Sequence, residues 1–375
     1  MNRATRHVAS FAFVAFVFAA PGLAAFRCDS TTALTLVGVD TTARRALFAL
    51  PVAGESGDSA RWLLEADLAG GAARAWEEPP GPVRFGGSTG PGPILTAERC
   101  GPQCLQVVRL DGERWRPAGE SLLASDATTL HLTWDRAGAA WAVIHSLVGG
   151  RTAAAAYRLE GGDWVSKGAL ALRAVGNPGA VPAVDADDGV ISGDGLFTAT
   201  SNPRRWLEAL PAVADARSGE LVWLGGKSAA HLAADGMRTT ADGGVTWQPL
   251  RWQPLTGGEG DLAWRAGRDY RVELAEGERR PPLAAMWTDR RVADEEKLLI
   301  AAQVDGAWRV LARTPAGILT EGGERLPYNH LFRFAGERWE LVTGCVARPG
   351  GASLAIRRFA DGKLSNPELV KIALP

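Results

Sequence analysis

The stretch RTTADGGVTWQPL, residues 238–250, carries the sharpest structural pattern in the chain. A threonine, an aspartate and two glycines precede Trp247 within one short segment. An aspartate side chain accepts hydrogen bonds from backbone N–H groups of its own turn, and glycine supplies the positive φ that a tight reversal needs. The tryptophan can then cover the hairpin with a large apolar face. We therefore interpret Asp242 and its neighbours as a structural turn and not as a catalytic or metal-binding group.

Looser copies of this strand–turn–tryptophan pattern recur along the chain. They are DLAGGAARAW (67–76), VVRLDGERWRPAG (107–119), AYRLEGGDWVSKG (156–168), TATSNPRRWLEAL (198–210), AAQVDGAWRVLAR (301–313) and LFRFAGERWELVTG (331–344). The mean interval between their tryptophans is about 44 residues, the size of a four-stranded propeller blade. Radially stacked blades bury both faces of each sheet, which a lone blade cannot do. The sequence predicts an all-β fold, a single β-propeller of about seven four-stranded blades, with six or eight as alternatives.

Two features complicate this pattern. The tryptophan intervals become irregular after Trp247, so either one blade is expanded or the register of the repeats fails there. The segments SARWLLEADL (59–68) and DEEKLLIAAQ (294–303) are compatible with short helices as well as with strands. A second signature, with an aspartate, a glycine and a tryptophan between apolar runs, occurs in LHLTWDRAGAAWAVI (130–144) and VADARSGELVWLGG (213–226).

One segment resembles a known motif. The run from Thr240 to Trp247 is similar to the Asp-box, S/T-x-D-x-G-x-T/S-W, of BNR-repeat propellers, and GMRTTADGGVTW (236–247) resembles blades of the photosystem II assembly factor family in the sialidase-like superfamily. The matching residues are Thr240, Asp242, Gly244, Thr246 and Trp247. The resemblance covers about one blade. It implies a hairpin between the third and fourth strands of that blade.

The resemblance raises the question of sialidase activity. Sialidases carry several Asp-boxes, an arginine triad, an R-I-P motif and a tyrosine nucleophile, whereas this chain has one good box and three tyrosines. We therefore predict a non-catalytic binding or assembly-assisting module of the bacterial cell envelope. The alternative is a carbohydrate-active enzyme, a divergent sialidase-like glycoside hydrolase. The acidic cluster VDADDGVISGDG (184–195) lacks the glycine spacing of a calcium loop, and no cofactor or metal is predicted.

The segment Tyr328-Asn329-His330 departs from the repeat, because other copies carry small apolar residues at this place. Two interpretations remain open. These side chains could cap a blade in a loop just before a strand, or they could contact a ligand on one face of the propeller, since functional residues concentrate on loops held by a rigid scaffold. We take Tyr328, Asn329 and His330 as the candidate ligand-binding residues.

The N-terminus has the pattern of an export signal. Arg3 and Arg6 precede the apolar run SFAFVAFVFAA, and Ala24-Ala25 offers a cleavage site. We predict a signal peptide over residues 1–25, a propeller domain over 26–375, a periplasmic or secreted location and no transmembrane anchor after cleavage. The formal net charge of −1 argues against nucleic acid as a partner. The expected partner is an envelope protein or a glycan.

Export also bears on the four cysteines. In an oxidising compartment an even number of cysteines indicates disulfides, and four cysteines allow three pairings. The spacing in Cys100-Gly-Pro-Gln-Cys104 differs from the C-x-x-C of redox enzymes and lacks the partners of a zinc site. Pairing Cys100 with Cys104 leaves Cys28 for Cys345, and we predict these two disulfides.

Overall fold

The structure is a computed structural model. It describes residues 34–50, 61–78, 84–85, 87–123, 127–135, 138–148, 151–171, 183–184, 189–192, 195–199, 206–208, 220–225, 228–233, 236–241, 246–249, 251–253, 270–277, 284–289, 297–304, 307–315, 317–319, 323, 325–334, 338–348 and 351–374. Every regular element in these ranges is a β-strand, which confirms the all-β prediction. Over the same ranges, no helix has the length and apolarity needed to span a membrane.

The strands follow one another along the chain in short groups, here called meanders, in which most neighbouring strands pair antiparallel. The first meander holds β1 (Thr35–Asp40), β2 (Arg45–Leu50), β3 (Arg61–Asp67) and β4 (Ala72–Glu78); the second holds β5 (Arg84–Phe85), β6 (Thr89–Gly90), β7 (Leu95–Gly101), β8 (Cys104–Asp111), β9 (Arg114–Pro117) and β10 (Leu122–Leu123). The third holds β11 (Ala127–Trp134), β12 (Ala140–Val148), β13 (Arg151–Glu160) and β14 (Asp163–Ala171); the fourth holds β15 (Ala183–Val184), β16 (Gly189–Ser192), β17 (Gly195–Ala199) and β18 (Trp206–Glu208).

The second half of the chain continues in the same way. The fifth meander holds β19 (Glu220–Gly225), β20 (Ser228–Ala233), β21 (Gly236–Thr240) and β22 (Gln248–Pro249); the sixth holds β23 (Arg251–Gln253), β24 (Tyr270–Leu274), β25 (Glu276–Gly277), β26 (Ala284–Asp289), β27 (Lys297–Val304) and β28 (Ala307–Pro315). The last holds β29 (Gly317–Leu319), β30 (Arg325–Phe334), β31 (Arg338–Arg348), β32 (Gly351–Ala360), β33 (Lys363–Leu364) and β34 (Glu368–Ala373). The short strands β6 and β25 are grouped here by chain order, but they pair in parallel with β1 and β30 of other meanders, and β23 pairs in parallel with β28.

Strands β2 and β3 of the first meander are buried on both faces, which explains why their sequences do not simply alternate between apolar and polar residues. In β3 the neighbours Leu63 and Leu64 point to opposite sides of the sheet, as adjacent strand residues must, yet both are fully buried. Leu63 packs with Ile94 of the second meander, and Leu64 packs with Phe332 of the last one. The first sheet is therefore covered on both sides by other sheets. This packing also decides the ambiguous segments, since 61–67 and 297–304 are the strands β3 and β27 and not helices.

The hydrophobic clusters of the described residues lie between successive meanders. Leu105 and Val107 of the second meander pack with Leu132 and Ala142 of the third. Leu298 and Ile300 of the sixth pack with residues of the last, including Leu331 and Leu341. Sheets that pack face to face in chain order give a propeller-like arrangement.

The two ends of the described chain meet in one sheet. The final strand, β34, lies between β32 and β4 and pairs in parallel with β4 through Ile372 opposite Ala73. The first and last meanders thereby form one continuous sheet. One apolar cluster fills the space between them, with Phe48 and Trp62 on one side and Phe332, Val342 and Leu354 on the other.

The recurring tryptophans lie on, or directly before, the last or next-to-last strand of their meanders, with one exception. Trp76, Trp115, Trp164, Trp206 and Trp308 lie on β4, β9, β14, β18 and β28, and Trp247 directly precedes β22. Trp339, however, lies on β31, the second full-length strand of its meander, so the copy LFRFAGERWELVTG was assigned to the wrong hairpin. The equivalent turn in the last meander is Asp361-Gly362, where both residues have positive φ (51° and 72°), and Leu364 takes the place of the tryptophan.

Two of these tryptophans link neighbouring meanders. The indole N–H of Trp115 donates to Oε1 of the buried Glu78 at 2.8 Å, and that of Trp164 donates to the carbonyl of Ala118 at 2.8 Å. Each acceptor lies just after the tryptophan position of the preceding meander. Trp115 and Trp164 therefore each act as a clamp, a single hydrogen bond that joins two successive sheets.

Candidate functional site

Two irregularities lie side by side in the last meander. Between β30 and β31, Tyr328 pairs with Thr343 and His330 pairs with Val342, so Asn329 is an extra residue in β30. Between β31 and β32, the register also shifts between Val342 and Cys345. Bulges redirect side chains and are frequent next to active sites. This double bulge is the candidate functional site.

The bulge separates two of the three candidate ligand-binding residues. Residues two apart on a regular strand share a face, but the extra residue Asn329 turns Tyr328 and His330 to opposite sides. Tyr328 packs with Ile300 of the sixth meander, whereas His330 contacts Phe48 of the first. The sequence placed these residues just before a strand, and the structure places them inside β30.

His330 lies where the first and last meanders meet. Its Nε2 is 3.2 Å from the carbonyl oxygen of Leu34, which precedes β1. Its ring centroid lies 5.1 Å from that of Phe48 and 5.9 Å from that of Phe332. We call this region, formed by Leu34, Phe48, Asn329, His330 and Phe332, the seam. His330 and its neighbour Asn329 are both partly exposed.

The contact with Leu34 selects a tautomer for His330. A carbonyl oxygen can only accept, so a hydrogen bond to it requires the proton on Nε2. In a neutral imidazole Nδ1 is then the basic nitrogen. A base oriented by a hydrogen bond on its other nitrogen is the arrangement that general-base catalysis requires.

Tyr328 has a different environment. It is buried, and burial raises the pKa of its phenol, while the nearby Arg357 guanidinium acts in the opposite direction. Arg357 also donates to the hydroxyl of Thr314 on β28 and to the carbonyl of Ser365. Tyr328 and Arg357 therefore lie at the junction of the sixth and last meanders and not at the seam.

A buried hydroxyl supports the second bulge. Thr343 accepts a hydrogen bond from the backbone N–H of Ala355 at 3.1 Å and donates to the carbonyl of Gly344 at 2.9 Å. These bonds satisfy backbone groups that the irregular pairing leaves out of the ladder. The hydrogen bonds of Thr343 therefore hold the backbone in place beside the seam.

The Asp-box segment lies on the expected hairpin, between β21 and β22. Thr240 is buried, Thr246 is exposed and Trp247 is partly buried. Asp242 and Gly244 lie outside the described residues, as do Asp185 and Asp187 of the acidic cluster, so the Asp-box assignment stays a prediction. The chemistry expected of Asp242 is seen at Asp67, whose Oδ1 accepts the N–H groups of Ala69 and Gly70 at 3.0 and 2.9 Å in the β3–β4 turn.

The predicted disulfide pairing is confirmed in part. Cys100 and Cys104 form a disulfide with a Cα–Cα distance of 5.2 Å. Cys345 is also disulfide-bonded. Cys28 and the predicted signal peptide lie outside the described residues, so the Cys28–Cys345 pair and the cleavage after residue 25 remain predictions.

Sequence reasoning noted the aspartate–glycine–tryptophan signature in 130–144 but did not predict the buried polar cluster that it forms. Asp135 follows β11, and its carboxylate accepts the N–H of Ala139 at 2.8 Å, the indole N–H of Trp141 at 3.0 Å and the guanidinium of Arg158 at 3.1 Å. The spacing Asp-x-x-Gly-x-x-Trp in 135–141 was the available indication of this turn. In the ranges given above, no group of three or more His, Cys, Asp or Glu residues is arranged to hold a metal ion.

No protein-family model and no curated protein matches this sequence. Solved structures do show a likeness. A protein from Lactobacillus plantarum has a TM-score of 0.52 at 13% identity, over 88% of this chain and 96% of that one. The periplasmic gluconolactonase of Pseudomonas aeruginosa has a TM-score of 0.47 at 15% identity (92% and 97% covered). A Bacteroides uniformis protein provisionally assigned as a 6-phosphogluconolactonase has a TM-score of 0.46 at 13% identity (91% and 97% covered).

These likenesses concern the fold, for which the first has a TM-score above 0.5, and they do not transfer a substrate. They do correct one expectation. Two of the three similar proteins are described as lactone-hydrolysing enzymes, and this finding agrees with the alternative of a carbohydrate-active enzyme. The expectation of a non-catalytic binding or assembly module is therefore wrong.

Proposed function

We propose that this protein is an envelope hydrolase that opens a sugar-derived lactone at the seam, on a β-propeller of seven four-stranded blades. The seven meanders of the described chain support the blade number. The pairing of β34 with β4 supports closure of the ring between the last and first blades.

The observation that carries the activity is the orientation of His330. Its Nε2 contact with the Leu34 carbonyl makes Nδ1 the base, and the ring is partly exposed to solvent at the seam. Lactone hydrolysis needs one such base, whereas glycoside cleavage requires two suitably spaced carboxyl groups. A single oriented imidazole therefore favours lactone opening over a sialidase-type reaction.

The reaction follows from that geometry. Nδ1 of His330 takes a proton from water as the water oxygen attacks the lactone carbonyl carbon. The ring C–O bond then breaks, and the leaving alkoxide takes the proton back from the imidazolium. The product is a hydroxy acid. Asn329, the extra residue of the bulge, offers an amide for hydrogen bonds to sugar hydroxyls.

A substrate panel tests this function. Purified mature protein is assayed in a pH-stat with glucono-δ-lactone and 6-phosphogluconolactone, with the spontaneous rate subtracted, and beside them with aryl glycosides that include an α-sialoside. We expect lactone opening and no cleavage of the sialoside. His330→Gln should lower kcat by roughly 10²–10⁴-fold, the usual contribution of a general base.

The matched control is His131→Gln, on β11 of the third meander and away from the seam. It should retain the wild-type kcat, and circular dichroism should show both variants folded at the assay temperature. Lactone turnover that survives in His330→Gln, or no turnover above the spontaneous rate with any lactone, contradicts the proposal.

A further inference from the structure

The Cys100–Cys104 disulfide lies at the surface, at the tip of the β7–β8 hairpin. Cys100 is exposed and Cys104 is half-buried, and residues 102 and 103 between them are exposed as well. Thiol–disulfide exchange requires a thiolate to reach a sulfur atom, so this disulfide is accessible to attack.

The hairpin does not depend on this disulfide for its register. Backbone pairing joins Gly101 to Cys104 and Arg99 to Leu105, directly beside the sulfur atoms. On the other side, β10 pairs with β8 through Leu122 and Leu105, both of which are buried. A disulfide that closes so short a segment also restricts the unfolded chain much less than one between distant residues.

The disulfide of Cys345 differs from the Cys100–Cys104 disulfide in its exposure. Cys345 is fully buried in the apolar cluster between the first and last meanders. A thiolate cannot reach that sulfur without opening the core. Among the described cysteines, the Cys100–Cys104 pair thus lies at the surface, whereas the sulfur of Cys345 is buried.

An exposed apolar side chain lies next to the accessible disulfide. Leu123 is 84% exposed and pairs with Cys104 across the β10–β8 ladder. Arg99, directly before Cys100, is exposed too. A leucine beside an accessible disulfide offers an apolar contact to a protein that docks there.

We propose that Cys100–Cys104 is a thiol–disulfide exchange site whose partner is a dithiol protein that docks on Leu123. The partner's thiolate attacks one sulfur atom, the Cys100–Cys104 bond breaks, and a mixed disulfide forms while the other cysteine leaves as a thiolate. The partner's second thiol then resolves the mixed disulfide. Cys100 and Cys104 end as two thiols, and the partner's dithiol is oxidised to a disulfide.

The experiment compares a protein reductant with a small one on the full folded chain. Reduced thioredoxin or dithiothreitol is added without denaturant, new thiols are alkylated, and the alkylated peptides are quantified by mass spectrometry. We expect Cys100 and Cys104 to be alkylated while Cys345 stays protected, with an unchanged circular dichroism spectrum. Alkylation of Cys345 at the same rate, or loss of sheet structure on reduction, overturns the proposal.

The docking contact is tested by Leu123→Ser. This change should slow reduction by thioredoxin severalfold and leave the rate with dithiothreitol unchanged. The matched control is Leu319→Ser, which alters another leucine, 67% exposed on β29. An equal thioredoxin rate in Leu123→Ser and wild type refutes the docking surface.

Discussion

Replacing Asp135 with alanine removes the centre of the buried polar cluster in the third meander. The Asp135 side chain is 1% exposed and accepts from a backbone N–H, an indole N–H and a guanidinium. Alanine leaves the indole of Trp141 and the N–H of Ala139 without this acceptor. It also removes the counter-charge of Arg158, which is largely buried and stacks over the Trp141 ring at 5.7 Å.

The loss of stability can be bounded from these contacts. A buried donor left without its acceptor costs about 1–3 kcal/mol. Breaking a buried ion pair costs about 3–5 kcal/mol, but Arg158 keeps a second carboxylate, Glu160, at 3.6 Å. Because the contacts share one carboxylate, their costs overlap, and we expect a loss of about 3–4 kcal/mol in the free energy of unfolding. That is a large share of the total stability of an ordinary domain.

Urea unfolding followed by tryptophan fluorescence and circular dichroism measures this loss. The control is Asp111→Ala, which breaks an exposed pair with Arg116 and should change the free energy by less than about 1 kcal/mol. Asp135→Asn keeps the shape but turns an amide N–H₂ toward Trp141 or Arg158, so it should fall between wild type and alanine. If Asp135→Ala is no more destabilising than Asp111→Ala, the cluster does not stabilise the third meander as argued.

Three further predictions follow from single contacts. Trp115→Phe removes the indole donor to Glu78 and should lower the free energy of unfolding by about 1–3 kcal/mol. Urea unfolding measures this change, and an unchanged urea midpoint would refute the role of Trp115 in holding the first and second meanders together. Burial raises the pKa of Tyr328, so this phenol should not change the stability at neutral pH, but the stability should fall as the pH rises above about 10, the pKa of the unfolded state. In melting curves at alkaline pH, Tyr328→Phe should show a smaller fall than wild type, and an identical fall in both proteins would contradict this prediction. Peptide mapping of unreduced protein should find Cys345 joined to Cys28. A disulfide between Cys345 and any other cysteine would show that the chain ends are held in another way.

Local chemistry explains how much of the fold the sequence predicts. Turns such as Gly112-Glu113 and Gly161-Gly162 fix hairpins through a few neighbouring residues, including glycines at positive φ, so the repeat of strand, turn and tryptophan is readable from the chain alone. The segment 331–344 looks the same locally but forms a different hairpin of its meander. Its place is set by the pairing of β34 with β4, between residues almost 300 positions apart, which no local pattern reveals.

The candidate site shows a second limit. Tyr328, Asn329 and His330 stand out in the sequence, but their separation depends on one extra residue in β30. A shift of one residue moves a side chain to the other face of a sheet, and the sequence gives no sign of where the register shifts. The Leu34 contact that orients His330 likewise comes from the opposite end of the chain.

The most direct test of the central claim, that the substrate binds at the seam, is the imidazole signal of His330 in a ¹H–¹⁵N NMR spectrum. The signal is assigned by its loss in His330→Gln, and gluconate, the hydrolysis product of glucono-δ-lactone, is then titrated into the wild-type protein. We predict a saturable shift of the His330 resonances and none of the His131 resonances. If gluconate leaves His330 unchanged, or shifts His131 instead, the seam is not the site.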